Sequence, residues 1–183
     1  MKIVVGISGA SGAIYAVSLL KALKELGIET HLVVTSMGRH VAEHECGMSI
    51  NDLQGLSSYY HDNENLAAPI SSGSFKVDKM VVVPCSMKTL SGVANGYSDS
   101  LLSRACDVTI KEGRKLILAV RETPLSPIHL KNMLVLSQIG VTIFPPSPGF
   151  YSHPETVEDI VLNITGKILD LLDIDNDLTV RWK

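Results

Sequence analysis

A glycine-rich turn offers the first chemistry. Gly6-Ile7-Ser8-Gly9-Ala10-Ser11-Gly12 joins the β-branched run Lys2–Ile7 to a helical apolar pattern. Glycines there let backbone approach a ligand closely, and the free amides of a helix start suit an anion. Ser8 and Ser11 add hydroxyls. The spacing is not that of a dinucleotide fingerprint, since Ser8 stands where a second glycine would be needed. The acid expected after a second strand is also replaced by Thr35-Ser36. Serines after both strands suit one terminal phosphate, as in FMN, better than a ribose diol. The plainer alternative is a tight turn with Ser11 as helix N-cap. A hydrolase elbow is excluded, because Ala10 and Ala13 stand where Gly-x-Ser-x-Gly needs glycine.

Two further segments end in polar chemistry after apolar runs. Pro84-Cys85-Ser86-Met87-Lys88-Thr89 follows Met80–Val83. Its small polar groups could meet the edge of a heterocycle, with Met87 as a soft contact, or Ser86 could simply cap a helix. Arg121-Glu122-Thr123-Pro124 follows Leu116–Val120. The planar fork of Arg121 fits a phosphate or a flavin carbonyl, and Glu122 could move a proton; a surface ion pair is the bland alternative.

Lys111, seven residues after Arg104, lies near a helix end, where offsetting the helix dipole is the simpler account of it. Lys167 flanks the apolar stripe Val157, Ile160, Val161, Ile164, Ile168 and Leu171, so it either snorkels or points its ammonium into an anion site. Tyr151 follows a rigid proline loop and offers both a ring face and a hydroxyl. Trp182, the only tryptophan, lies in a polar tail and suggests docking on a neighbouring subunit. His40-Val41-Ala42-Glu43-His44 matches an inverted zinc-protease order, but a solvated helix face explains it better.

The elements that must hold these groups alternate. Strands are expected at Lys2–Ile7, Glu29–Val34, Met80–Val83 (ended by Pro84), Leu116–Val120 and Val141–Phe144. Helices are expected at Ile14–Leu26, after Ser36, and over Lys88–Asn95, Asp99–Glu112, Pro127–Ile139 and Thr156–Leu172, with Gly47–Gly73 as loop carrying short pieces of structure. Such alternation predicts one domain over residues 1–183, a doubly wound parallel α/β sheet covered on both faces in three layers. Ligands of such folds sit beyond the carboxyl ends of the strands, where strand order reverses.

With 183 residues, 45% apolar and a net charge of −3 without long runs of one sign, the chain has no general nucleic-acid or anionic-membrane surface. No apolar run is long enough to cross a bilayer. Three cysteines, Cys46, Cys85 and Cys106, match neither a disulfide framework nor a zinc site, and a reducing cytoplasm fits them. Low charge in so small a chain points to apolar surface hidden between subunits.

In order along the chain, the glycine loop, Pro84-Cys85-Ser86-Met87-Lys88-Thr89-Leu90, Arg104-Ala105-Cys106-Asp107-Val108, Arg121-Glu122-Thr123-Pro124, Ile128-His129-Leu130-Lys131-Asn132-Met133, Pro148-Gly149-Phe150-Tyr151 and Arg181-Trp182 resemble the UbiX-type flavin prenyltransferases. The resemblance implies a flavodoxin-like, Rossmann-like fold of the homo-oligomeric flavin-containing decarboxylase group, usually dodecameric. It implies a metal-independent transfer of the dimethylallyl group of dimethylallyl phosphate to N5 and C6 of reduced FMN, and a UbiD-type decarboxylase as recipient of the prenylated FMN. By the same resemblance Gly9, Ala10, Ser11, Ser36, Ser86, Met87, Lys88, Thr89 and Arg121 would bind FMN. Lys111, Arg121, Tyr151 and Lys167 would hold the substrate phosphate, Glu122 would be the acid/base, and Trp182 would close the site. Lys167 stands where some relatives carry arginine, and Gly113 where a basic residue is frequent. The second loop differs from the Pro-Ala-Ser-Ala-Asn-Thr of the cysteine decarboxylases of that group.

Overall fold

A computed structural model describes residues 1–179 and 181. Its strands are β1 (Lys2–Ile7), β2 (Glu29–Val34), β3 (Tyr59–Asp62), β4 (Lys79–Cys85), β5 (Lys115–Val120) and β6 (Thr142–Ile143). They form one parallel six-stranded sheet in the order β3-β2-β1-β4-β5-β6. The helices are α1 (Ala13–Glu25), α2 (Ser36–Cys46), α3 (Ile50–Gly55), α4 (Met87–Ala94), α5 (Leu101–Lys111), α6 (Pro127–Gln138) and α7 (Val157–Leu171).

From β1 the chain builds outward through β2 to β3, then returns to start β4 on the other side of β1 and builds the opposite way. Right-handed crossovers running in opposite directions place their helices on opposite faces. Accordingly α1, α2 and α7 pack together on one face, and α4, α5 and α6 on the other. Two cores result. One joins Val5, Ile7, Leu20, Leu32, Val81, Ile117 and Ile168; the other joins Val4, Met80, Val82, Leu102, Leu116 and Leu118. Burying one such side chain contributes about 1.5–3 kcal/mol. Alternation along each central strand therefore drives both layers onto the sheet, and it leaves the loops at the carboxyl edge free to form a site.

Two expectations change. Pro84 does not end its strand: β4 continues to Cys85, with its register against β5 shifting between Val82 and Cys85. At that irregular position a missing backbone donor is tolerated. The loop Gly47–Gly73 contains the strand β3, a half-exposed edge strand of Tyr-Tyr-His-Asp with no apolar run to announce it. Elsewhere boundaries move by one or two residues, set by caps: Ser100 opens α5, Ser126 opens α6 and Thr156 opens α7, each with a reciprocal bond from the third helical residue.

The α6 helix and the residue after it expose several large apolar side chains. Ile128, Leu130, Leu134 and Ile139 are all more than half exposed in the single chain. Grouped apolar exposure of this kind marks contact surface.

Candidate active site

Parallel strands end together, so the turns after β1, β2, β4 and β5 meet at one edge, beside the reversal between β1 and β4. Ser8 is not a free ligand there. Its buried hydroxyl donates to the Pro84 carbonyl (2.9 Å) and accepts from the Ser86 amide (2.8 Å), tying the ends of β1 and β4 together. Ser11 is not the cap of α1 either. The N-cap is Gly12, at φ 106°, a left-handed conformation that glycine adopts without strain.

The orphan amides of α1 are met from 32 residues away. Glu45, near the end of α2, accepts from the Gly12 amide (2.9 Å) and the Ala13 amide (3.0 Å). Burial pushes its carboxyl upward, but the Ser11 hydroxyl, the two amides and the nearby Arg121 charge outweigh that and hold it below the usual carboxylate range. With a depressed folded value, this stabilisation is complete above the unfolded carboxylate range and is lost as pH falls through the folded value. Nothing local in the sequence marks Glu45, because its partners lie on another helix. A Glu45→Ala variant is expected to lose a helix cap of about 1 kcal/mol. That loss lowers the thermal midpoint by roughly 2–4 °C in calorimetry at neutral pH. An unchanged midpoint would show the contact to be idle.

The other turns are built by capping. Thr35 accepts from the Gly38 amide (3.0 Å), presenting Ser36 and Met37 at the start of α2. Ser86 accepts from the Thr89 amide (3.3 Å) and shares a hydrogen bond with its hydroxyl (3.1 Å), so it is cap and cleft wall together. Cys85 is fully buried, and burial pushes its thiol up to about 12, which removes it as a nucleophile. After β5 the Arg121 amide donates to the Cys85 carbonyl (3.1 Å), and Glu122 accepts from the Thr123 amide (2.9 Å).

These turns border a cleft of about 1020 Å³. Gly9, Ser36, Ser86, Met87, Lys88, Thr89 and Glu122 line it. Ala10, Ser11 and Arg121 stand beside it, Ala10 buried and the other two exposed. A further polar wall was not legible in the sequence: Asn63, Glu64, Asn95, Tyr97, Asp99, Ser100 and Ser103. Asn63 builds it, since its carbonyl accepts from Leu101 (2.8 Å) and its side chain from Leu102 (3.2 Å), fixing the start of α5.

The remaining cations do not join this cleft within one chain. Lys111 is the last residue of α5 and pairs with Glu112 at 3.4 Å. Because α5 runs antiparallel to β5, Lys111 lies at the opposite edge of the sheet. The six residues of β5 separate it from Arg121 by roughly 20 Å at about 3.3 Å each. Tyr151 and Lys167 line a second hollow of about 570 Å³, with Ser147, Asn163, Thr179 and Arg181. Trp182 lies outside the described residues. His40 and His44 stack 6.3 Å apart on exposed α2, and among the described residues no three potential ligands converge as a metal site.

The profile of the Flavoprotein family matches residues 1–169. The flavin prenyltransferase UbiX of Methanocaldococcus jannaschii is 47% identical over 182 residues, covering 100% of this chain and 98% of that protein. The crystal structure of a dodecameric FMN-dependent UbiX-like decarboxylase from Escherichia coli O157:H7 superposes with a TM-score of 0.98 at 49% identity, covering 100% of both chains. That of AnUbiX (PadA1), in complex with FMN and dimethylallyl pyrophosphate, gives 0.98 at 44% identity, covering 100% of this chain and 97% of the other.

Proposed function

The chain belongs to the UbiX-type flavin prenyltransferases of the Flavoprotein family, and from that membership we propose that it joins the dimethylallyl group of dimethylallyl phosphate to N5 and C6 of reduced FMN, making prenylated FMN for a UbiD-type decarboxylase. The observation that carries this reading is the convergence of four post-strand turns on one polar cleft at the reversal of strand order.

The residues present fit FMN. A cleft of about 1020 Å³ is roomy enough for a flavin, and its serine and threonine hydroxyls and helix-start amides suit a terminal phosphate and a heterocycle edge. Gly9, Ala10, Ser11, Ser36, Ser86, Met87, Lys88, Thr89 and Arg121 would hold it. Bound and reduced, the flavin supplies the electron-rich nucleophile. Glu122, at the cleft wall, accepts and returns a proton during ring closure. Lys111, Arg121, Lys167 and the Tyr151 hydroxyl stabilise the departing phosphate, supplying in fixed positive charge what water would supply at higher reorganisation cost.

Because one chain keeps Lys111, Arg121 and Lys167 in three places, the complete phosphate site is assembled between subunits. The dodecameric relative and the uncovered apolar face of α6 support a homododecamer. The tail over residues 173–183 would add to such contacts. No described helix is long and apolar enough to cross a membrane, and three free thiols suit a cytoplasmic setting.

The test is direct. Incubation with reduced FMN and dimethylallyl phosphate, then mass measurement of the flavin, is expected to show a gain of one five-carbon unit. An unmodified flavin, with the protein still binding FMN, would sink the proposed activity.

A further inference from the structure

Lys167 and Asp170 stand three residues apart on α7 and line the same second hollow. Residues at that spacing are neighbours on a helix face, where a lysine and an aspartate would ordinarily pair with each other. Here they do not. No ion pair among the described residues includes Lys167. The Asp170 carboxylate is taken up instead by the chain that follows the helix.

Three bonds hold it there. Arg181 donates to both carboxylate oxygens, at 3.1 and 3.2 Å, and the Asn176 side-chain amide donates to one of them at 3.0 Å. A surface ion pair is usually worth little, but Asp170 keeps only 23% of its side-chain exposure, and a two-pronged arginine grip is the geometry that lasts. The tail that carries Arg181 is itself fastened. The Asn176 amide also donates to the Gly166 carbonyl (3.2 Å), and the Asn176 side-chain oxygen accepts from the Leu178 amide (3.1 Å). A β-carbon at Gly166 would collide with Thr179, so only glycine lets the tail lie this close to the helix.

We propose that Arg181 is a positioning residue for the phosphate site: by drawing the Asp170 carboxylate onto the tail, it keeps that carboxylate off Lys167 and leaves the ammonium free for the phosphate of the allylic substrate. The proposal rests on the reading of Lys167 given above and adds how its charge is kept available. A freed carboxylate one helical turn away would compete for the ammonium and repel the incoming phosphate at the same time. With Arg181 in place the Asp170 charge is compensated, and the residues lining the hollow keep one net positive charge, that of Lys167.

The experiment uses the full-length, assembled protein with Arg181→Gln, Asp170→Asn and the two combined. Inorganic phosphate alone is titrated by calorimetry. Arg181→Gln is expected to bind it roughly three- to tenfold more weakly, because Asp170 is then free to pair with Lys167. Asp170→Asn is expected to bind phosphate at least as tightly as the parent, and the double variant to recover most of the loss. In turnover with dimethylallyl phosphate, KM is expected to follow the same order while FMN affinity stays parental in all three. If Arg181 touched the phosphate itself, or merely pinned the tail, the double variant would stay as weak as Arg181→Gln; that lack of recovery overturns the proposal. Parental phosphate affinity in Lys167→Ala would overturn the reading of Lys167 on which it stands. Recovery in the double variant of a protein that does not prenylate FMN would uphold the role of Arg181 and reject the activity; prenylation with phosphate affinity indifferent to Arg181 would do the reverse.

Discussion

A Glu122→Gln variant is expected to bind FMN as tightly as the parent and to turn over roughly 10²- to 10⁴-fold more slowly, the range that a positioned proton-transfer group supplies. Glutamine keeps the size of the side chain and an oxygen that can accept from the Thr123 amide, now 2.9 Å from Glu122. The cleft wall should therefore hold its shape while the exchangeable carboxyl proton is lost. Flavin affinity is read from an absorbance titration, and product from the flavin mass after single and multiple turnovers. Parental rates in the variant would remove Glu122 from the chemistry. Weakened flavin binding would make it a wall residue instead.

The second large effect concerns assembly. Lys111→Ala and Lys167→Ala are each expected to lose roughly 10²- to 10³-fold in turnover, the usual loss when one preorganised group facing developing charge is removed. Neither change touches the core, since both side chains are exposed in the single chain. When the two variants are co-expressed so that subunits mix at random, activity is expected to return to about a quarter of the parental level. A site drawing Lys111 from one subunit and Lys167 from another is intact only when each donor happens to be the unmutated one. Were both lysines supplied by the same chain, every mixed site would keep one defect. No recovery would then follow, and the intersubunit site would be refuted.

Much of the fold was legible because it is written in short-range chemistry. Ile3, Val4 and Val5 sit in a continuous β-branched run and are buried on both faces of a central strand. The helix expected to open at Pro127 does open there, with Ser126 as its cap. The edge strand Tyr59–Asp62 was not legible, since an edge needs no continuous apolar run and its side chains are half exposed. Pro84 misled because proline normally stops a strand, and only the register shift beside it shows why this one does not.

The cleft divides in the same way. Gly9, Ser36, Ser86 and Thr89 could be named from position alone, because turns that follow buried parallel strands must gather at one edge. Ser8 could be named but not understood: its hydroxyl serves as a strut to Pro84 and Ser86, at a separation of more than seventy residues.

By itself, then, the sequence determined the alternation of strands and helices, the capped helix starts, the turns that border the cleft and the kinship carried by its ordered motifs. All of these follow from neighbours within a few residues, where period, propensity and hydrogen-bond competition act. Only tertiary structure decided that Glu45 caps α1, that Lys111 faces away from Arg121, and that Asp170 pairs with Arg181 rather than with Lys167. Those outcomes depend on how distant segments pack, and the geometry that settles them exists only once both layers have closed on the sheet.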